Sequence, residues 1–291
     1  MENIYSFYPH ELKTADFHQY LLGAVSPRPI CFASTLNSDG TPNLAPYSFF
    51  NCFSSKPPIL VFSSNRRVRD NSTKDTLHNI ESTREVVVNV VSYAFVYQMA
   101  VASIEYEQGI SEFEKAGLTP LASDIVKPFR VKESPVQMEC KVNDIIALGN
   151  EGGAGNLIIC EIVRMHINEA VLNEQRRIDP QKIDLMARMG GNFYCRASGE
   201  AVFSLAQPVE AIGIGADQLP AAVRLSEVLS GNDIGKLAAL TAFPAAADIA
   251  AAQLKTAAFT SIRQYHEAAK HLIAQGEAAQ ALAYLMAAHQ A

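Results

Sequence analysis

The sequence has no C-x-x-C pair, no apolar run approaching eighteen uninterrupted residues and no excess of positive charge. Each absence closes off a class. The five cysteines, Cys31, Cys52, Cys140, Cys160 and Cys195, are odd in number, widely spaced and set in apolar contexts, so they read as reduced core residues of a cytoplasmic protein. The start, "MENIYSFYPHELK", has neither a basic n-region nor an apolar h-region, and no membrane span is expected. Lys plus Arg (24) against Asp plus Glu (30) gives a net charge of −6, so nucleic acid and anionic lipid are not expected partners and any anion site must be local.

Catalytic and phosphate signatures are also missing. None of the seven histidines stands in H-E-x-x-H, and no serine has a G-x-S-x-G elbow, so neither a metal centre nor a hydrolytic triad is expected. "GNEGGAG" (Gly149 to Gly155) lies between two strand-like runs with no Lys-Ser/Thr after it, and reads as a hairpin tip. "GIGADQ" (Gly213 to Gln218) has Gln where a dinucleotide fingerprint needs its third glycine.

What is present is a series of hairpins. "RPICFASTL" and "PNLAPYSFFNCF" are joined through Asp39-Gly40, and further strands are predicted at Ile59 to Ser63, Glu85 to Val91, Ser134 to Leu148 and Asn156 to Ile167. Helices are predicted over Leu12 to Gly23, Asp75 to Thr83 and Tyr93 to Ile104. Strands and helices do not alternate regularly, which favours an antiparallel barrel over a doubly wound sheet. The 60 residues from Asn232 to Ala291 hold 21 alanines, which predicts helix, two segments broken near Gly276 and preceded by the Pro244 stop. Their predicted apolar face is Leu254, Ala258, Ile262, Tyr265 and Leu272, packed on the barrel or on a second subunit.

Within this acidic chain, "SSNRRVRDNSTKDT" gathers Arg66, Arg67, Arg69 and Lys74 between a strand ending on Ser63-Ser64 and a helix starting near Asp75 or Thr76. Strand-end hydroxyls, cations and free helix N–H groups suit a phosphate dianion. The arginines could equally form a solvated loop face, with Asp75 as a cap or the partner of a nearby cation. Upstream, Pro27, Pro29 and Pro46 remove ladder donors beside strands, leaving a ledge for a planar ring or simply an irregular barrel rim.

Taken together, "GAVSPRPICFAST", "PNLAPYSFFNCFSSKPPILVFSS", "KDTLHNI", "VVVNVV", "EFEKAGLTPLAS", "ESPVQMECKV" and "RMGGNFY", in that order, resemble the flavin reductase family of the FMN-binding split barrel, flavoredoxins included, over roughly residues 12 to 205. The resemblance implies a mainly β fold: a six-stranded Greek-key split barrel over residues 1–205, homodimeric, followed by an Ala-rich helical extension over 206–291. It implies FMN as cofactor, contacted by Ser26, Arg28, Pro29, Ala45, Pro46, Tyr47, Ser48 and Asn51, with Ser63, Ser64, Lys74, Asp75 and Thr76 at the phosphate. Arg188, Gly190, Gly191 and Tyr194 would close over the flavin on the substrate side, and His166 could point into the site. The implied activity is hydride transfer from NADH or NADPH to FMN and on to a second acceptor, a monooxygenase partner among them, with no side-chain acid or base required. The competing reading is a non-catalytic FMN carrier.

Overall fold

The computed structural model describes residues 3–107, 109–205 and 212–288. The chain divides into two compact units, Met1–Phe203 and Ser204–Ala291. The boundary expected at 205/206 abuts residues 206–211, and His289 also lies outside the described residues.

The first unit opens with α1 (Thr14–Ala24) and the two-residue β1 (Arg28–Pro29). Two hairpins follow. β2 (Cys31–Leu36) pairs antiparallel with β3 (Pro42–Tyr47), and β4 (Phe50–Ser55) with β5 (Pro58–Ser63). Gly40 makes the first turn at φ +85°, a backbone region other residues rarely enter. After α2 (Asp75–Thr83) come β6 (Glu85–Val90), α3 (Val96–Val101), α4 (Glu112–Ala116) and the short pair β7 (Pro120–Leu121) and β8 (Arg130–Val131). The twelve-residue strands β9 (Val136–Ala147) and β10 (Asn156–Ile167) form the longest hairpin, with "GNEGGAG" at its tip. The unit ends with α5 (Pro180–Ile183), β11 (Leu185–Arg188) and β12 (Tyr194–Ala197), which form a small sheet with β1. The helix expected from Tyr93 is shorter: a 3₁₀ turn over Tyr93–Phe95 precedes α3.

The main sheet has seven strands in the order β3-β2-β6-β9-β10-β5-β4, all antiparallel. The six-strand expectation fails because the run Pro42 to Phe53 is broken at Ser48-Phe49 into β3 and β4. These are the two ends of the sheet, yet only two residues separate them in the chain, a reach of about 10 Å from Tyr47 to Phe50 when extended. The sheet must therefore curl until its ends meet, giving the split barrel.

The alternation of β6 and β9 sorts the two faces. Val86, Val88, Met138 and Cys140 face the interior with Cys31, Phe62, Ile158 and Cys160, and Leu77 and Ile80 of α2 join them. Phe32 and Leu44 of β2 and β3 face outward, under Phe95, Met99 and Phe113 of the helical inserts. β6 is buried on both faces, which explains its near-continuous apolar run. Three cysteines are core residues as expected, but Cys52 on edge strand β4 is exposed and Cys195 half-buried. All five are free thiols.

The second unit holds α6 (Ala221–Arg224), α7 (Gly231–Ala238), α8 (Ala246–Lys255), α9 (Ile262–Ala274) and α10 (Ala278–Ala287). Gly276, at φ +86°, separates α9 from α10 where the break was expected. The two-helix expectation omitted a further break at 256–261 and the helices before Pro244. The predicted apolar face holds at Tyr265, which is buried, but fails at Leu254, 82% exposed, and Ile262, 54%; Ile249, Ala252, Ala269 and Ile273 are buried as well. No helix among the described residues is long and apolar enough to cross a membrane.

Candidate functional site

The loop between β5 and α2 holds the basic cluster, and most of its charge is satisfied internally. Arg67 pairs with Glu105 at 2.7 Å and donates to Ser72 Oγ and the Thr73 carbonyl. Arg69 pairs with Asp70 and Glu105, and Arg66 Nη1 donates to the Asn71 carbonyl. Lys74 is different. Its ammonium has no hydrogen bond or ion pair among the described residues, and its Nζ lies 4.9 Å from the centre of the Tyr47 ring. Burial pulls its pKa below the ordinary lysine range, Arg67 lowers it further, and Glu105 partly opposes both.

Lys74 is also the N-cap residue of α2, with no side-chain cap bond, so Asp75 takes the first helical position. The first N–H groups of a helix have no intrahelical acceptor, and they open beside this ammonium. Beside them Tyr47 is buried, and burial pushes its phenol up to about 12, with partial relief from the neighbouring Thr76 and Ser64 hydroxyls. Neither Tyr47 Oη nor Ser64 Oγ finds an aligned hydrogen-bond partner among the described residues. A cleft lined by Asn43, Pro46, Arg67, Lys74, Thr76 and the carboxylates Asp75, Glu105 and Glu112 thus presents an unpaired cation at the start of α2, with the orphaned hydroxyls of Tyr47 and Ser64 nearby. This donor set fits a phosphate. Asp75, exposed at the mouth, has no ion pair among the described residues.

A second cavity, of about 180 Å³, adjoins the cleft through the shared Pro46 and Ser103. Ile30, Tyr47, Ser48, Met99, Arg188 and Tyr194 complete its wall. Arg188 stacks on Tyr194 with Cζ 4.6 Å from the ring centre. The structure therefore brings together Ala45, Pro46, Tyr47, Ser48, Lys74, Asp75, Thr76, Arg188 and Tyr194 of the expected set.

Other expected residues are placed elsewhere. Ser63 and Ser64 are consecutive in extended chain, so their side chains project to opposite faces. Ser63 Oγ meets Asn65 Oδ1 at 2.8 Å and, with Asn51, lines a separate apolar groove of about 410 Å³ walled by Phe49, Phe50 and Leu157. Arg28, 5% exposed, donates to the carbonyls of Leu22, Val25 and Met189, tying the end of α1 to β11. Ser26 donates to the Gly23 carbonyl in the same corner, and Pro29 pairs with Ala187. A Cβ on Gly190 would lie 3.1 Å from Gly23 Cα, so its smallness serves contact with α1, while Gly191 turns the chain at φ +56°.

His166 contacts Glu139 at 2.7 Å and lines neither cavity. Glu139 is fully buried and also accepts from the N–H groups of Asp124, Ile125 and Val126. Burial alone would raise this carboxyl; the Asp124 N–H, His166 and the other two N–H groups outweigh it and hold the pKa at about 2. Asp124, Glu139 and His166 lie close enough to share a metal ion, but Glu139 is already fully engaged and Arg164 sits 3.3 Å from Asp124. This cluster fastens the 124–126 loop to the sheet.

Sequence reasoning missed Glu112. From α4 it accepts the Leu44 N–H at 2.9 Å and lines the cleft beside Lys74. Burial raises its carboxyl, the Leu44 N–H lowers it, and Asp75 adds to the rise. A glutamate in the first turn of a five-residue helix gives no local sign of this reach.

Comparison with known proteins identifies the family. The sequence model of the flavin reductase like domain matches residues 23–182. An uncharacterised protein of Aquifex aeolicus is 38% identical over 183 residues, covering 63% of this chain and 91% of that one. Among solved structures, nitrilotriacetate monooxygenase component B from Bacillus cereus is 30% identical with a TM-score of 0.66, covering 70% of this chain and all of that one. The 2-nitrobenzoate 2-nitroreductase of Pseudomonas fluorescens is 29% identical with a TM-score of 0.60, covering 69% and 96%.

Proposed function

This chain belongs to the flavin reductase like domain family, and from that premise we propose that it is an FMN-dependent oxidoreductase using NADH or NADPH. The observation that carries the reading is the unpaired Lys74 ammonium at the start of α2, in a cleft continuous with a proline-walled cavity large enough for part of a planar ring. Lys74 and the first N–H groups of α2 would hold the phosphate, with Thr76 beside them. Pro46, Tyr47 and Ser48 would form the wall for the ring. Bound there, FMN would supply the redox chemistry, as acceptor of a hydride from reduced nicotinamide and donor of two electrons to a second acceptor.

The protein's part is orientation and charge. The Lys74 cation favours an anionic guest. No side chain here is asked to carry a proton. The homodimer and the monooxygenase partner belong to this proposal; the Bacillus cereus neighbour, a monooxygenase component by its name, supports the latter. Purified protein titrated with FMN and assayed for NAD(P)H consumption tests the reading. Failure to bind FMN, or bound FMN that nicotinamide never bleaches under anaerobic conditions, would overturn it.

A further inference from the structure

Among the described residues, Arg188 is the one charged side chain lining its cavity. Its guanidinium has no hydrogen bond or ion pair among the described residues, and one face is covered by Tyr194. It also stands directly across the β1–β11 ladder from Arg28. Like charges at directly opposed positions destabilise a sheet. Arg28 is already engaged by three carbonyls, and Arg188 lowers its pKa after burial does. A solvated surface arginine would need neither an aromatic brace nor a place in a cavity wall. With one face stacked, the N–H edge of the fork remains for a ligand, and that edge matches the paired oxygens of a phosphoryl group or carboxylate.

The FMN phosphate is assigned to Lys74, which does not line this cavity, so Arg188 is left for a second ligand. We propose that Arg188, braced on Tyr194, anchors a phosphoryl group of the nicotinamide dinucleotide and so sets the affinity for the hydride donor. The inference rests on the flavin reading above. Two phosphoryl sources exist on such a donor, the pyrophosphate common to NADH and NADPH and the 2′-phosphate of NADPH alone. The shared chemistry is an oxyanion met in the plane of the guanidinium.

The experiment compares full-length protein with Arg188→Ala and Arg188→Gln, the second retaining a planar end group for stacking should the first fail to fold. FMN affinity is measured first, by fluorescence titration. Then kcat/KM is measured for NADH, for NADPH and for reduced N-benzylnicotinamide, a hydride donor without phosphate. Loss of a charge-assisted contact predicts that the ratio of kcat/KM for a dinucleotide to that for the benzyl donor falls roughly 10- to 100-fold, through KM. A fall with both dinucleotides assigns the pyrophosphate; a fall with NADPH alone assigns the 2′-phosphate. An unchanged ratio in a variant that still binds FMN overturns the inference. So does a KM effect confined to a carboxylated organic acceptor, which would assign Arg188 to the oxidant. Failure of the unaltered protein to bind FMN is a separate result, overturning the flavin reading and Arg188's role with it.

Discussion

Lys74 Nζ sits 4.9 Å from the centre of the Tyr47 ring, and this contact joins the two halves of the site. Tyr47 belongs to the cavity wall shared with Arg188, while Lys74 opens into the cleft at the start of α2. A ring face attracts a cation without neutralising it, so the ammonium remains available to an anion.

Lys74→Ala therefore weakens FMN binding by about 1–3 kcal/mol, roughly 5- to 150-fold in Kd. Riboflavin, which lacks the phosphate, loses far less. Equal losses for the two ligands in fluorescence titrations would remove Lys74 from the phosphate site.

Glu139 gives a pH dependence whose sign is fixed. Its folded pKa of about 2 lies below the ordinary 4.5. The carboxylate therefore contributes stability that is present above about 4.5 and lost as pH falls toward about 2. Glu139→Gln destabilises the protein by about 1–3 kcal/mol at pH 7. The gap between wild type and variant, measured by urea melts, narrows across that acid window; a constant gap would contradict the assignment.

At Gly152 an added Cβ would lie 3.1 Å from the carbonyl oxygens of both Arg67 and Val68. Backbone cannot rotate away as a side chain can. Gly152→Ala is expected to cost about 1–3 kcal/mol in overpacking and to lower Tm, with FMN affinity falling as the basic loop shifts. An unaltered melting curve would indicate that the loop yields freely.

Truncation after Phe203 should leave a cooperatively folding barrel. The barrel core and the outer helical cluster lie wholly before that residue, and the two helical clusters of the tail wholly after it. A cut at Asn232 is the wrong one, because it strands Leu219 and Val223 without Leu237. Circular dichroism melts of the 1–203 fragment decide the matter: a broad, non-cooperative transition would tie the tail to the barrel's stability.

The hairpins and α2 were legible in the sequence because their signals are local. The bounds of the Asn156–Ile167 strand and the Asp75–Thr83 helix agree with the structure residue for residue. The pairing of Arg67 and Arg69 with Glu105 was not legible, since it joins positions over 30 residues apart with no periodic pattern. The separation of Ser63 from Ser64 was available from strand alternation alone, had it been applied. In the tail, alanine hides the answer: Ala252 is buried and Leu254 exposed, and a segment so uniform in side-chain size gives few clues to its inner face.

The two-residue link Ser48–Phe49 has one more effect. Pro46, Tyr47 and Ser48 wall the site, and Phe49, Phe50 and Asn51 wall the apolar groove. That short stretch contributes neighbouring residues to two separate concavities, so a single change of backbone course at Ser48–Phe49 would reshape both.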